Sequence, residues 1–85
     1  MLSAATRDFR RLPVATLRRP APEIAVSLYH EAFRVFGPLC FWSTKEMSAP
    51  TLADAFDAAS RLKREGNMNS RKLAERLEEA CRAAL

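Results

Sequence analysis

Between Pro22 and the pair Gly37-Pro38 lies the stretch EIAVSLYHEAFRVF, and its pattern constrains the fold more than any other part of the chain. Its polar residues are Glu23, Ser27, His30, Glu31 and Arg34. They recur every three or four positions, so on a helix they form one narrow stripe. The other positions, Ile24, Ala25, Val26, Leu28, Tyr29, Ala32, Phe33, Val35 and Phe36, are all apolar. An apolar arc that wide is more than one neighbouring helix covers. Such a helix is central to its domain, or it pairs with another copy of itself. Pro22 suits a first helical turn, where its missing N–H would be unpaired anyway. Glu23 complements the positive end of the helix dipole, and Gly37-Pro38 is a strong stop signal. The expected helix covers about residues 22–36.

Two more helices follow. In PTLAD, Thr51 is a good N-cap and Asp54 stands three residues on, where a capping box places its acid. Leu52, Ala55, Phe56, Ala59 and Leu62 then make an apolar stripe. Lys63 and Arg64 occupy the last turn and Gly66 ends it, which predicts a helix over 52–65. For the third, Asn69 is the expected N-cap, with Met68 before it and Leu73 after it forming a hydrophobic staple. Its stripe is Leu73, Ala74, Leu77, Ala80, Cys81 and Ala84, over about residues 70–84, and Glu78 precedes Arg82 by one turn. The short link between these two helices predicts an antiparallel αα-hairpin, with alanines letting the axes approach.

The segment LCFWST lies in a connector of about a dozen residues, long for a helix-to-helix link. A connector carrying Phe41 and Trp42 is expected to close over the wide apolar face of the first helix, in its own chain or in a partner's. The fold class is therefore all-α. It is a three-helix domain with a C-terminal antiparallel αα-hairpin, a hydrophobic connector and an extended basic N-terminal arm. The arm is residues 1–20 and the helical domain residues 21–85.

The net charge of +4 is unevenly placed. The arm holds Arg7, Arg10, Arg11, Arg18 and Arg19 against one acid, Asp8. Residues 21–85 hold nine basic and nine acidic side chains, so the whole excess sits in the arm. A neutral body does not make a nucleic-acid platform, whereas a basic arm can touch phosphates or an acidic partner. In the hairpin, Asn67, Asn69, Ser70, Arg71 and Lys72 could read bases from a helix N-terminus, but Glu75, Glu78 and Glu79 follow at once and would repel the phosphates.

Several chemistries find no footing. Cys40, Cys81 and His30 are too few for a zinc site. With glycine only at 37 and 66 there is no phosphate-cradling loop. Ser27, His30 and Glu23 share a helix face, yet a triad needs groups converging from different elements. Cys40 would be a nucleophile only if a nearby charge lowered its pKa, and Cys81 falls on the buried stripe. No run of apolar residues is long enough to span a membrane. The N-terminus lacks the apolar core of a secretory signal, so a cytoplasmic location with reduced thiols is expected.

The expected function is therefore non-enzymatic and without a cofactor. The pattern points to a small protein-binding regulator or adaptor, of the size of an inhibitor or antitoxin, that forms a homodimer through the first helix and the connector. The candidate interface residues are Leu28, Tyr29, Phe33, Phe36, Phe41 and Trp42, since aromatic side chains dominate interface hot spots. The alternative is a nucleic-acid-binding protein that uses Arg7, Arg10, Arg11, Arg18 and Arg19 as phosphate contacts.

Overall fold

The computed structural model of the chain describes residues 13–85. Arg7, Arg10 and Arg11 lie outside the described residues. Among the described residues four helices follow in order: α1 (Val14–Leu17), α2 (Glu23–Cys40), α3 (Leu52–Glu65) and α4 (Met68–Ala83). Backbone pairing between strands is limited, among the described residues, to one isolated antiparallel bridge from Pro20 to Thr51.

The α3–α4 hairpin is built largely as its sequence dictates. Thr51 and Asp54 form the expected capping box: the Thr51 N–H donates to Asp54 Oδ2 at 2.9 Å, and the Asp54 N–H donates to Thr51 Oγ1 at 3.3 Å. The stripe of Leu52, Ala55, Phe56, Ala59 and Leu62 is buried, and Ala58 joins it. From α4, Leu73, Ala74, Leu77 and Cys81 complete the contact. The alanines leave room for the axes to close. Across the hairpin, Lys63 Nζ donates to Glu78 Oε1 at 2.7 Å, so the nearly buried carboxylate meets a cation from α3, with Arg82 of its own helix further off at 3.9 Å.

The start of α4 differs from expectation. Its N-cap is Asn67, not Asn69, and Met68 is the first helical residue, exposed to solvent rather than stapled to Leu73. Asn67 Oδ1 accepts the Ser70 N–H at 3.1 Å. Ser70 itself is fully buried, and its hydroxyl lies 2.9 Å from Leu62 O and 2.8 Å from Asn67 O, sharing one proton between two carbonyls. That bond back to α3 fixes the register, and a cap two residues later would forfeit it. Gly66 sits at the corner in an extended conformation, φ −105° and ψ −161°.

The first long helix also runs further than expected. Gly37-Pro38 does not stop it; α2 continues to Cys40, with a kink at Phe36 (φ −116°, ψ 17°). Pro38 falls in the opening turn of the segment after the kink, where a missing N–H costs nothing. Gly37 has no Cβ to clash with the proline ring, so the usual restriction on the preceding residue is relaxed. The extra turn buries Cys40 and leaves Leu39 exposed. It closes with the Phe41 N–H donating to Gly37 O at 2.9 Å.

Upstream, residues 14–17, expected in an extended arm, form one helical turn in which the Leu17 N–H reaches Pro13 O at 3.0 Å. Leu17 packs against the core. The following residues are tied to the start of α3: the Ala21 N–H donates to Pro50 O and the Leu52 N–H to Arg19 O. The entries to α2 and α3 therefore lie side by side.

This placement explains the connector. A helix of 18 residues rises about 27 Å, and the chain must return that distance before α3 can begin. Ten extended residues reach at most about 33–36 Å, so residues 41–50 run nearly straight back. They do so along α2: Phe41 stacks on Phe33 with ring centroids 4.1 Å apart, Glu46 pairs with His30 Nδ1, and the Met47 N–H donates to Tyr29 Oη at 2.9 Å.

Candidate interaction surface

The connector covers only one flank of α2. Ala25, Leu28, Tyr29 and Ala32 are buried against the hairpin. Tyr29, His30 and Phe33 lie beneath the returning connector, which adds the buried Phe41. Among the described residues, the other flank has no such cover. Ile24 and Val35 are eleven residues apart, three helical turns, and so project from the same side. Ile24 is 69% exposed and Val35 53%, with Leu39 at 47% one turn further on and Trp42 at 73% just beyond the helix end. Ser27 and Arg34 are exposed and Glu31 is half-buried along the same edge.

The six candidate interface residues thus divide. Leu28, Tyr29 and Phe41 are buried in their own chain; Phe33 and Phe36 are half-buried and packed against the core; of the six, Trp42 alone is exposed. Sequence pattern did not single out Ile24, Val35 and Leu39. For Ile24 and Val35 the signal was present in the width of the apolar arc, but the side that the connector would leave bare depended on its path, and Leu39 fell in the expected connector.

At the N-terminal end of this flank, α2 meets the end of α4. Pro22, Glu23, Ile24, Ala80, Ala83 and Ala84 line a shallow, largely apolar depression of about 330 Å³. It exists because the last two turns of α4 present alanines where longer side chains would have filled the space.

A second, smaller cavity of about 110 Å³ lies under the connector among Tyr29, Phe33, Phe41, Thr44, Met47 and Ala58. Burial pushes the Tyr29 hydroxyl pKa up, against the opposing hydrogen bond from the Met47 N–H, and the carboxylates of Asp54, Glu46 and Asp57 push it the same way as burial. Thr44 Oγ1 is buried here with no hydrogen-bond partner. A buried hydroxyl of that kind costs about 1–3 kcal/mol, whereas an apolar group of the same shape costs little. Thr44→Val is therefore expected to raise stability by about 1 kcal/mol, visible as a melting temperature about 4–8 °C higher by circular dichroism. An unchanged or lower value would show that the hydroxyl is satisfied in solution.

The groups considered for chemistry are occupied or muted. His30 pairs with Glu46 across the connector. Cys40 and Cys81 are both fully buried and free. Burial pushes the Cys40 pKa up, and that of Cys81 up to about 11, the opposite of an activated thiolate. Among the described residues, no cluster of histidine, cysteine and carboxylate side chains could hold a metal ion, and no helix is long and apolar enough to cross a membrane. At the start of α4, Asn67 is spent as a cap and Ser70 is buried, leaving Asn69, Arg71 and Lys72 exposed. Arg18 and Arg19 are exposed beside Pro20. Compared with known proteins, the chain matches no family model, no curated protein and no solved structure.

Proposed function

We propose that the chain is a non-enzymatic, cytoplasmic protein-binding regulator or adaptor, of an inhibitor or antitoxin kind, that acts by self-association through α2 and the connector's exposed tryptophan. One observation carries the reading: among the described residues, Ile24, Val35, Leu39 and Trp42 stand exposed on α2 and just beyond its end. Scattered single apolar residues are ordinary on a surface, but Ile24 and Val35 on one side of α2, with Leu39 and Trp42 beyond the kink, put four large ones along one helix and its end, and such exposure marks a contact site. Trp42 is the residue type that most often anchors such a contact. Sedimentation velocity from low micromolar to about 1 mM protein tests this. The expected result is a monomer–dimer equilibrium that Trp42→Ala weakens; a monomer throughout the range would end the self-association reading.

A second reading rests on Arg18 and Arg19, both exposed where the basic segment enters the described chain. If the arm binds nucleic acid, a gel-shift assay at low salt should show retardation that falls steeply with added salt and is lost when residues 1–20 are removed. No retardation at low salt would end it.

A further inference from the structure

We propose that the partner on the bare flank of α2 is a second copy of the chain in an antiparallel two-fold arrangement, with each copy's Trp42 seated in the other's depression among Ile24, Ala80, Ala83 and Ala84. This rests on the self-association reading and gives it a geometry. A knob and a hole belong to the same helix but lie at opposite ends of it. Trp42 follows the C-terminal end of α2, and the depression adjoins its N-terminal end, about 27 Å away for 18 residues. A knob and hole so far apart cannot meet within one copy. A two-fold axis perpendicular to α2 on its bare flank, at the level of residue 33, brings both pairs to the same height at once, because position 24 of one copy then lies level with position 42 of the other. Isologous contacts of this kind use one patch twice.

Charge on the same edge agrees. With the axis at Phe33, Glu31 of one copy faces position 35 of the other, next to Arg34, and Arg34 faces position 32, next to Glu31. The opposite charges therefore meet twice across the axis, and no like pair is opposed there. In a parallel arrangement, related by an axis along the helix, each of these groups would face its own copy and repel it. The sizes also fit. Each tryptophan contributes about 150–250 Å². With the exposed parts of Ile24, Val35 and Leu39 from both copies, the contact comes to about 1,000 Å² in all, the low end for specific interfaces.

Trp42 is the only tryptophan in the chain, so its emission reports its own seating. Trp42 and Ala83 are both exposed, so replacing either leaves the core intact. The test uses the full chain and two variants, Trp42→Ala without the knob and Ala83→Arg with the hole blocked. In the wild type, emission should shift to the blue and become protected from acrylamide as concentration rises. Each variant alone should dimerise at least ~30-fold more weakly. Mixing them should restore one knob-in-hole contact per dimer. Because Trp42→Ala is spectrally silent, adding it to Ala83→Arg should shift the emission of the remaining tryptophan to the blue. A wild-type dimer whose tryptophan emission does not change with concentration would overturn this geometry and leave self-association standing. So would variants that dimerise like the wild type, or a mixture that shows no shift. A wild type that is monomeric at all concentrations would overturn both.

Discussion

Replacing Gly66 with alanine is expected to destabilise the domain by about 3 kcal/mol, lowering its melting temperature by about 10–25 °C. The cause is not backbone strain, since Gly66 has a negative φ that any residue adopts. The cause is space. A Cβ at this corner would lie 1.8 Å from Ser70 Oγ, 2.6 Å from Ser70 Cβ and 2.6 Å from Leu62 O. The Ser70 hydroxyl is held in that place by the carbonyls of Leu62 and Asn67. Relieving the clash means pushing Ser70 away and losing the bond that sets the register of α4 on α3. For 85 residues a total stability of about 4–13 kcal/mol is ordinary, so the loss is a large part of it. The double variant Gly66→Ala with Ser70→Gly removes the hydroxyl contact but leaves the Leu62 carbonyl. It should therefore recover part of the loss, and the two effects should not add. Chemical denaturation of the four proteins measures this. A Gly66→Ala protein within about 0.5 kcal/mol of wild type would show that the corner opens freely.

The same corner shows how far the sequence could be read. The capping box at Thr51 and Asp54 and the stripes of α3 and α4 are local patterns, and the chain follows them because nothing elsewhere competes. At the start of α4 two asparagines, Asn67 and Asn69, were equally good caps by type. What chooses between them is a tertiary bond, Ser70 Oγ to Leu62 O, which no local pattern reveals. Gly37-Pro38 misleads for a related reason. A proline ends a helix when its ring and missing N–H fall mid-helix, but here a kink at Phe36 resets the turn and makes Pro38 an opening residue.

The bare flank of α2 has a different standing. The width of its apolar arc was plain from residues 23–36, and so was the greasiness of the connector. Which flank the connector takes follows from α2 and α3 starting side by side, an arrangement that the backbone bonds from Ala21 to Pro50 and from Leu52 to Arg19 hold. Backbone bonds leave no mark in side-chain identity. The depression at Ala80, Ala83 and Ala84 was likewise hidden, because an alanine stripe reads as close packing, whereas here Ala83 is exposed and Ala84 half-buried.

Alkaline conditions are expected to destabilise this fold through buried groups whose neutral form it favours. Cys81 is the main reason. Burial between α4 and its neighbours pushes its pKa from the ordinary thiol value up to about 11, with the Glu78 carboxylate reinforcing the shift and Arg82 opposing it. The folded state thus favours the neutral thiol. Below the unfolded-state pKa, near 8.5–9, both states carry the proton and stability is fully present. Above it the unfolded chain ionises first, binds fewer protons than the native one, and stability falls until the pH passes the folded value. A shift of about two units at ~1.4 kcal/mol each makes the loss about 2–3 kcal/mol for Cys81 alone. Burial moves Cys40 and Tyr29 in the same direction, so their contributions add on the alkaline side. Melting temperature followed from pH 7 to pH 11 should stay level to about pH 8.5 and then decline. Cys81→Ala should lower the plateau through lost packing yet flatten the decline, a separation that a purely packing role cannot produce. A wild-type melting temperature level to pH 10.5 would mean that Cys81 ionises as readily folded as unfolded, and that the interface between α3 and α4 admits water.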